Sequence, residues 1–171
     1  MLLRLEDLPV PVVAAVGGIA RAGGFEMMLA CDVTVVAAQA RIGDNHLAFG
    51  IVPGGGSTQR LARLVGRQRA REIVFTGRWL DGAEARAIGL ATHCVPRERL
   101  GDAVEDLVSV FRTRSRAALA ATKAAMNAGD ELPLREGLDA ETEHFMRYLT
   151  GDPQAAEGFR AWIERRDPVW P

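Results

Sequence analysis

The chain has 171 residues and a formal net charge of −1, with 21 Lys plus Arg against 22 Asp plus Glu. Hydrophobic residues make up 48% and charged residues 25%, which fits an ordinary globular protein and excludes a collagen-like repeat, a coiled coil or a disordered chain. The balanced charge argues against a whole-domain footprint for nucleic acid, and no apolar run is long enough to span a membrane.

In chain order, residues 1–8 have helical composition, and Pro9 and Pro11 stop the helix. Residues 10–16 (VPVVAAV) form an apolar run that predicts a buried strand. A glycine-rich turn over 17–24 then leads into a short helix at 25–30 (FEMMLA). Residues 32–37 (DVTVVA) read as a strand and Arg41-Ile42 as a short third piece. Residues 50–56 (GIVPGGG) are a loop, and Ser57 is expected to cap the helix that follows it. Gly66 interrupts that helix, which resumes at Arg67. Asp81 with Glu84 three residues on has the form of a capping box, Gly89 ends its helix, and 90–95 reads as a strand. Val104, Leu107, Val108 and Phe111 recur at helical spacing and predict one buried face. The remaining chain is read as three more helices: an Ala-rich one at 115–127, one marked by Leu134, Leu138, Phe145 and Leu149, and one over 153–166. The order is mixed α/β early and nearly all α late, which divides the chain into a core at 1–98 and a helical region at 99–171.

Two stretches could carry chemistry. Gly23-Gly24-Phe25-Glu26 enters a helix, whose first turn offers unpaired N–H groups that can stabilise an oxyanion. Glu26 lies among apolar neighbours and is a candidate acid/base; the plainer alternative is a solvated Glu in a first helical turn. Asp44-Asn45-His46 precedes the glycine loop. These residues could hold a proton relay, or they could be a turn whose Asp and Asn bond their own backbone. Gly54 to Thr58 lacks the Lys of a P-loop. Arg60, Arg63, Arg67, Arg69 and Arg71 read as a solvated face or a subunit contact, since 20 of the 21 basic residues are Arg. Cys31 and Cys94 form no C-x-x-C pair, and His46, His93 and His144 are scattered, so neither a disulfide framework nor a metal site is expected. Two buried thiols and the lack of a signal-peptide pattern suggest the cytoplasm.

The order of motifs resembles the enoyl-CoA hydratase/isomerase family, the crotonase fold. Pro9-x-Pro11-Val12-Val13-Ala14-Ala15-Val16-Gly17-Gly18 is similar to its P-x-P-V-I-A-A-V-N-G segment, and Ala22-Gly23-Gly24-Phe25-Glu26 with Ala30-Cys31-Asp32 to its G-G-G-x-E…A-C-D stretch. Gly50-Ile51-Val52-Pro53-Gly54, Thr58-Gln59-Arg60-Leu61, Leu64-Val65-Gly66-Arg67, Thr76-Gly77-Arg78, the A-x-x-x-G-L spacing ending at Leu90, Val95-Pro96 and Arg165-Arg166 continue it. The resemblance implies an α/β spiral of ββα turns with a helical C-terminal trimerisation region. It implies acyl-CoA thioesters as substrates, with CoA arriving as part of the substrate and no separate cofactor, and a trimer or a dimer of trimers as the assembly. By the same resemblance Gly23 supplies one oxyanion N–H and Glu26 is the acid/base. Gly54 helps place water or the acyl group, and Trp162 and Arg165 lie near the CoA nucleotide of this or a neighbouring subunit; Gly24 and Asp44 are further candidate substrate-binding residues.

Two departures from the family pattern bear on function. His46 stands where hydratases carry a second Glu, so His46 is expected to share the acid/base work. Members of the family also carry several strands and a helix before the P-x-P segment, so the fold is expected to be truncated at its N-terminus. The leading expectation is an enoyl-CoA hydratase or isomerase. The alternatives are a C–C bond hydrolase acting on β-diketones, suggested by Asp44 with His46, and a non-catalytic assembly subunit.

Overall fold

A computed structural model describes residues 2–171; Met1, included in the first helix reading, lies outside them. Two compact units are present. One comprises the residues up to Glu6 with Val12–Val108, and the other Asp7–Pro11 with Ser109–Pro171.

The first unit opens with the short helix α1 (Leu3–Glu6). Strand β1 (Val13–Val16) starts only after Pro11, which has no N–H to give to a ladder. The glycine-rich segment contains a strand that composition alone did not suggest, β2 (Ile19–Arg21). Three residues carry too little pattern to be read locally; β2 exists because it pairs in parallel with β4 (Arg41–Gly43), Ala20 lying opposite Ile42. Helix α2 (Gly23–Leu29) follows, then β3 (Val33–Ala37). Strands β1 and β3 are parallel with Val13 opposite Val33, and β5 (His93–Val95) joins the far edge of β3, giving the order β1-β3-β5. Each repeat thus sends its first strand to one sheet and its second to the other, with a helix between repeats. This is the ββα spiral. Phe25, Val36, Ile42, Leu61, Ile73 and Leu80 centre its core.

After the loop, Ser57 does not act as a cap. Gly56, at φ 119°, opens a π-type turn (Ser57–Leu61) that runs into α3 (Ala62–Val65), and Ser57 lies buried inside the turn. The turn begins one residue earlier, with Gly56 at the N-cap position, and the Ser57 hydroxyl bonds none of its N–H groups. Helix α4 spans Arg67–Thr76. Helix α5 (Gly82–Ala87) has the expected capping box, with the Glu84 N–H donating to Asp81 Oδ1 and the Asp81 N–H donating to Glu84 Oε2. Neither Cys31 nor Cys94 is fully buried, contrary to expectation, and they are not joined in a disulfide; the Cys31 thiol donates to the Met27 carbonyl. Helix α6 (Leu100–Arg112) runs across the division between the units, with Val104, Leu107, Val108 and Phe111 half-buried rather than buried.

In the second unit, α7 (Arg116–Glu131) and α8 (Leu134–Gly151) form a hairpin, followed by α9 (Pro153–Glu164). Ser115 caps α7 by accepting the Ala118 N–H, and its hydroxyl donates to Gln154 Oε1 at 2.6 Å, tying α7 to α9. Beyond α9 the chain folds back. Arg166 donates to both oxygens of Glu157 (2.6 and 3.1 Å), and the Val169 N–H adds a third bond. The guanidinium bonds lead in holding the Glu157 carboxyl down at about 2, from an ordinary 4.5, and Glu157 in turn raises the pKa of Arg166. A carboxyl with a depressed folded pKa stabilises the fold above its unfolded pKa and loses that contribution as pH falls toward the folded value. Acid should therefore weaken the wild type over the window from 4.5 down to about 2. Thermal melting across that window should show a shallower acid limb for Glu157→Gln; parallel limbs would rule out this contribution.

Candidate active site

Helix α2 buries Phe25, Met28 and Leu29, and Glu26 goes in with them at 5% exposure. A carboxylate that deep needs donors. The glycine loop supplies two, since the N–H groups of Gly55 (2.7 Å) and Ser57 (3.2 Å) both donate to Glu26 Oε1. The backbone can come this close because residue 55 has no side chain; a Cβ there would collide with the Glu26 carboxylate. The loop is braced from behind. Arg60 donates from Nη1 to the Gly55 carbonyl at 2.8 Å and from Nε and Nη2 to the two oxygens of Glu6 (2.5 and 2.6 Å). The bond to Glu6 chiefly raises the pKa of the Arg60 guanidinium. Arg60 is therefore no surface cation, whereas Arg63, Arg67, Arg69 and Arg71 are exposed as expected.

The free oxygen of that carboxylate faces His46, with Glu26 Oε2 3.9 Å from His46 Nε2. The other ring nitrogen, Nδ1, lies 3.0 Å from Oδ1 of Asp44, and the same Oδ1 accepts the His46 backbone N–H at 3.2 Å. Asp44 is fully buried and its Oδ2 has no partner among the described residues; Asn45 Oδ1 and Ser57 Oγ share that condition. Asn45 takes a left-handed conformation and donates from Nδ2 to the Gly77 carbonyl. Glu26, His46 and Asp44 thus form a carboxylate–imidazole–carboxylate row, open at the gap between Glu26 and His46.

Gly23 and Gly24 open the helix that carries Glu26. Both are exposed, with open space where a Cβ would point, and a helix opening leaves its first N–H groups without helical acceptors. Gly54 is exposed next to Gly55. Trp162 and Arg165 belong to the second unit, where both are exposed and Arg165 ends α9 in a left-handed conformation. The structure thus brings together Glu26, His46 and Asp44, with Gly54 adjacent in the chain to their loop. Sequence reasoning missed Gly55, Ser57, Arg60 and Glu6 as the supports of Glu26. Triple glycine before a buried serine hinted at close backbone approach, but Glu6 and Arg60 are 54 positions apart, and nothing local links them.

The sequence model of the enoyl-CoA hydratase/isomerase family matches residues 1–171, and the chain belongs to that family. It is 39% identical over 168 residues to the mitochondrial methylglutaconyl-CoA hydratase of Mus musculus, covering 96% of this chain and 53% of that protein. It is 36% identical over 166 residues to a probable mitochondrial enoyl-CoA hydratase of Dictyostelium discoideum, covering 97% and 60%. The crystal structure of an enoyl-CoA hydratase from Bacillus anthracis superposes with a TM-score of 0.94 at 34% identity, over 99% of this chain and 65% of that one. The chain therefore spans roughly half to two-thirds of the length of these relatives.

One residue at the site is strained. Ala22, just before Gly23, sits at φ 49°, ψ −120°, a region that residues with a Cβ rarely adopt. Its N–H donates to the Asp44 carbonyl at 3.1 Å and its carbonyl accepts the Glu26 N–H at 2.9 Å, and these bonds hold the conformation in place. Ala22→Gly should relieve it and raise stability by about 1 kcal/mol, read as a higher urea midpoint with an unchanged slope; a lower midpoint would show that Ala22 is not strained.

Proposed function

We propose that the chain carries the acid/base pair of an enoyl-CoA hydratase, with Glu26 and His46 taking the two proton-transfer roles. The observation that supports this most is the 3.9 Å approach of Glu26 Oε2 to His46 Nε2. That gap is too long for a direct bond but short enough for one water oxygen to touch both groups. In this reading Glu26 takes a proton from the water as its oxygen bonds to the β-carbon of the enoyl thioester. Nε2 of the His46 imidazolium gives a proton to the α-carbon, and the Gly23 N–H receives the charge that builds on the thioester oxygen. The net change is addition of H and OH across the double bond. The proton left on Glu26 returns to His46 across the same gap. Exposed Phe49, Ile51 and Val52, between His46 and Gly54, suit an acyl chain, and Gly24 and Gly54 leave it room. Trp162 and Arg165 are assigned to the CoA moiety.

Assembly belongs to the same proposal. Leu134, Leu138, Phe145, Phe159 and Trp162 are exposed around a groove of about 930 Å³ in the second unit. An apolar surface of that kind suits subunit contact in a trimer or a doubled trimer. Among the described residues no helix is long and apolar enough to cross a membrane, and two thiols outside any disulfide suit a reducing cytoplasm. A second reading, hydrolysis of a C–C bond in a β-diketone, draws on the Asp44–His46 pair; cleavage of such a diketone with no hydration of enoyl thioesters would select it.

Turnover of short and branched 2-enoyl-CoA esters by the full-length protein, followed by loss of the conjugated thioester absorbance, tests the main reading. Glu26→Gln should lower kcat by about 10²–10⁴-fold; equal rates would remove Glu26 from the mechanism. Light scattering at micromolar concentration should give a multiple of the chain mass, and a stable 18.5 kDa species would exclude the oligomer.

A further inference from the structure

We infer that Asp44 is a positioning residue that confines the exchangeable proton of His46 to Nε2, the nitrogen facing Glu26. The inference rests on the reading of His46 as an acid/base group and supplies what that reading lacks, a reason for the correct nitrogen to be active. An imidazole has two nitrogens, and in its neutral form the bond made at one decides which carries the proton. Here Asp44 Oδ1 settles the matter. It already accepts the His46 backbone N–H at 3.2 Å, so its lone pairs face His46, and Nδ1 at 3.0 Å must be the donor. Nδ1 then keeps its hydrogen whether the ring is neutral or cationic. The proton that comes and goes sits at Nε2, 3.9 Å from Glu26 Oε2.

The geometry also fixes the ring in space. Backbone N–H and ring N–H converge on one oxygen, so the imidazole is held relative to its own main chain. Asp44 itself is fully buried and anchored, since its carbonyl accepts the Ala22 N–H at 3.1 Å. A turn-forming Asp would need only the backbone bond; the second bond, to the ring, is what assigns a role toward His46.

The test is the tautomer itself, read by nitrogen NMR on full-length protein labelled at histidine. Only His46, His93 and His144 contribute from this chain, and the His46 signals are assigned by their loss in His46→Gln. With the ring neutral, the wild type should show a protonated Nδ1 and a bare Nε2. The opposite pattern in the wild type would overturn the assignment without any variant. Asp44→Ala should shift the ring toward the Nε2–H form and lower kcat by about 10²–10⁴-fold with little change in KM. Asp44→Asn, which keeps an acceptor oxygen at that position, should restore the Nδ1–H form. An unchanged tautomer in Asp44→Ala would show that something else fixes the ring. Because the NMR readout needs no turnover, failure of the hydratase reading and failure of this assignment are separate results.

Discussion

Capture of the Glu26 carboxylate by two backbone N–H groups is the constraint around which the first unit is arranged. A side chain with one charge at 5% exposure would be costly without donors. The donors belong to Gly55 and Ser57, so the glycine loop has to lie against helix α2. That requirement accounts for the absence of a side chain at residue 55, for the left-handed turn at Gly56, and for the π-type turn that follows. It also gives Arg60 and Glu6 their purpose. By holding the Gly55 carbonyl, Arg60 fixes the peptide whose neighbouring N–H points at Glu26, and Glu6 on α1 fixes Arg60. The orientation of the Glu26 carboxyl thus depends on a helix that gives it no hydrogen bond of its own.

Residue 44 makes the corresponding link on the other side. Its main chain fastens the turn at Ala22, where α2 begins, and its side chain fastens the ring of His46. One buried residue therefore sets both the entry of the helix that presents Glu26 and the direction of the imidazole opposite. Oδ2 of Asp44, Oδ1 of Asn45 and Oγ of Ser57 have no partners among the described residues, and all three lie in the segments that form the site. Buried polar atoms left without partners weaken a fold, and their clustering here sets the site apart from the apolar core beside it.

The second unit is held by different means. Its helices are fastened by a serine cap, by the Ser115–Gln154 bond and by the Arg166–Glu157 pair, while large apolar side chains remain uncovered along α8 and α9. Leu134 is 80% exposed and Trp162 79%. Burying a side chain of this size is worth about 1.5–3 kcal/mol, so leaving several of them in water forgoes stabilisation comparable to the net stability of many small domains. The groove they line also carries Glu141, His144 and Asp130, so charged and polar groups are interspersed with the apolar surface.

What could be read in the sequence follows from how local each determinant is. The capping box at Asp81 and Glu84, the breaks at Gly66 and Gly89, and the long helices of the second unit depend on residues within a few positions of one another, and the structure has all of them. The Glu26 motif and the Asp44–His46 pair were legible for the same reason, as short segments with chemical groups at fixed spacing. Strand β2 was not, because its existence depends on β4 across an intervening helix and strand. Ser57 was misread as a cap because the turn starts at Gly56, in a loop placed against Glu26, 31 positions away, and not where the local preference of serine would start it. Arg60 was misread as a solvated cation because its partner, Glu6, lies 54 positions earlier in the sequence. The unforeseen contacts at the site are charge-to-backbone or charge-to-charge bonds over long sequence separations. Such bonds leave no periodicity behind. They become visible only when the spiral stacks its repeats and brings the loop of one turn against the helix of the turn before it.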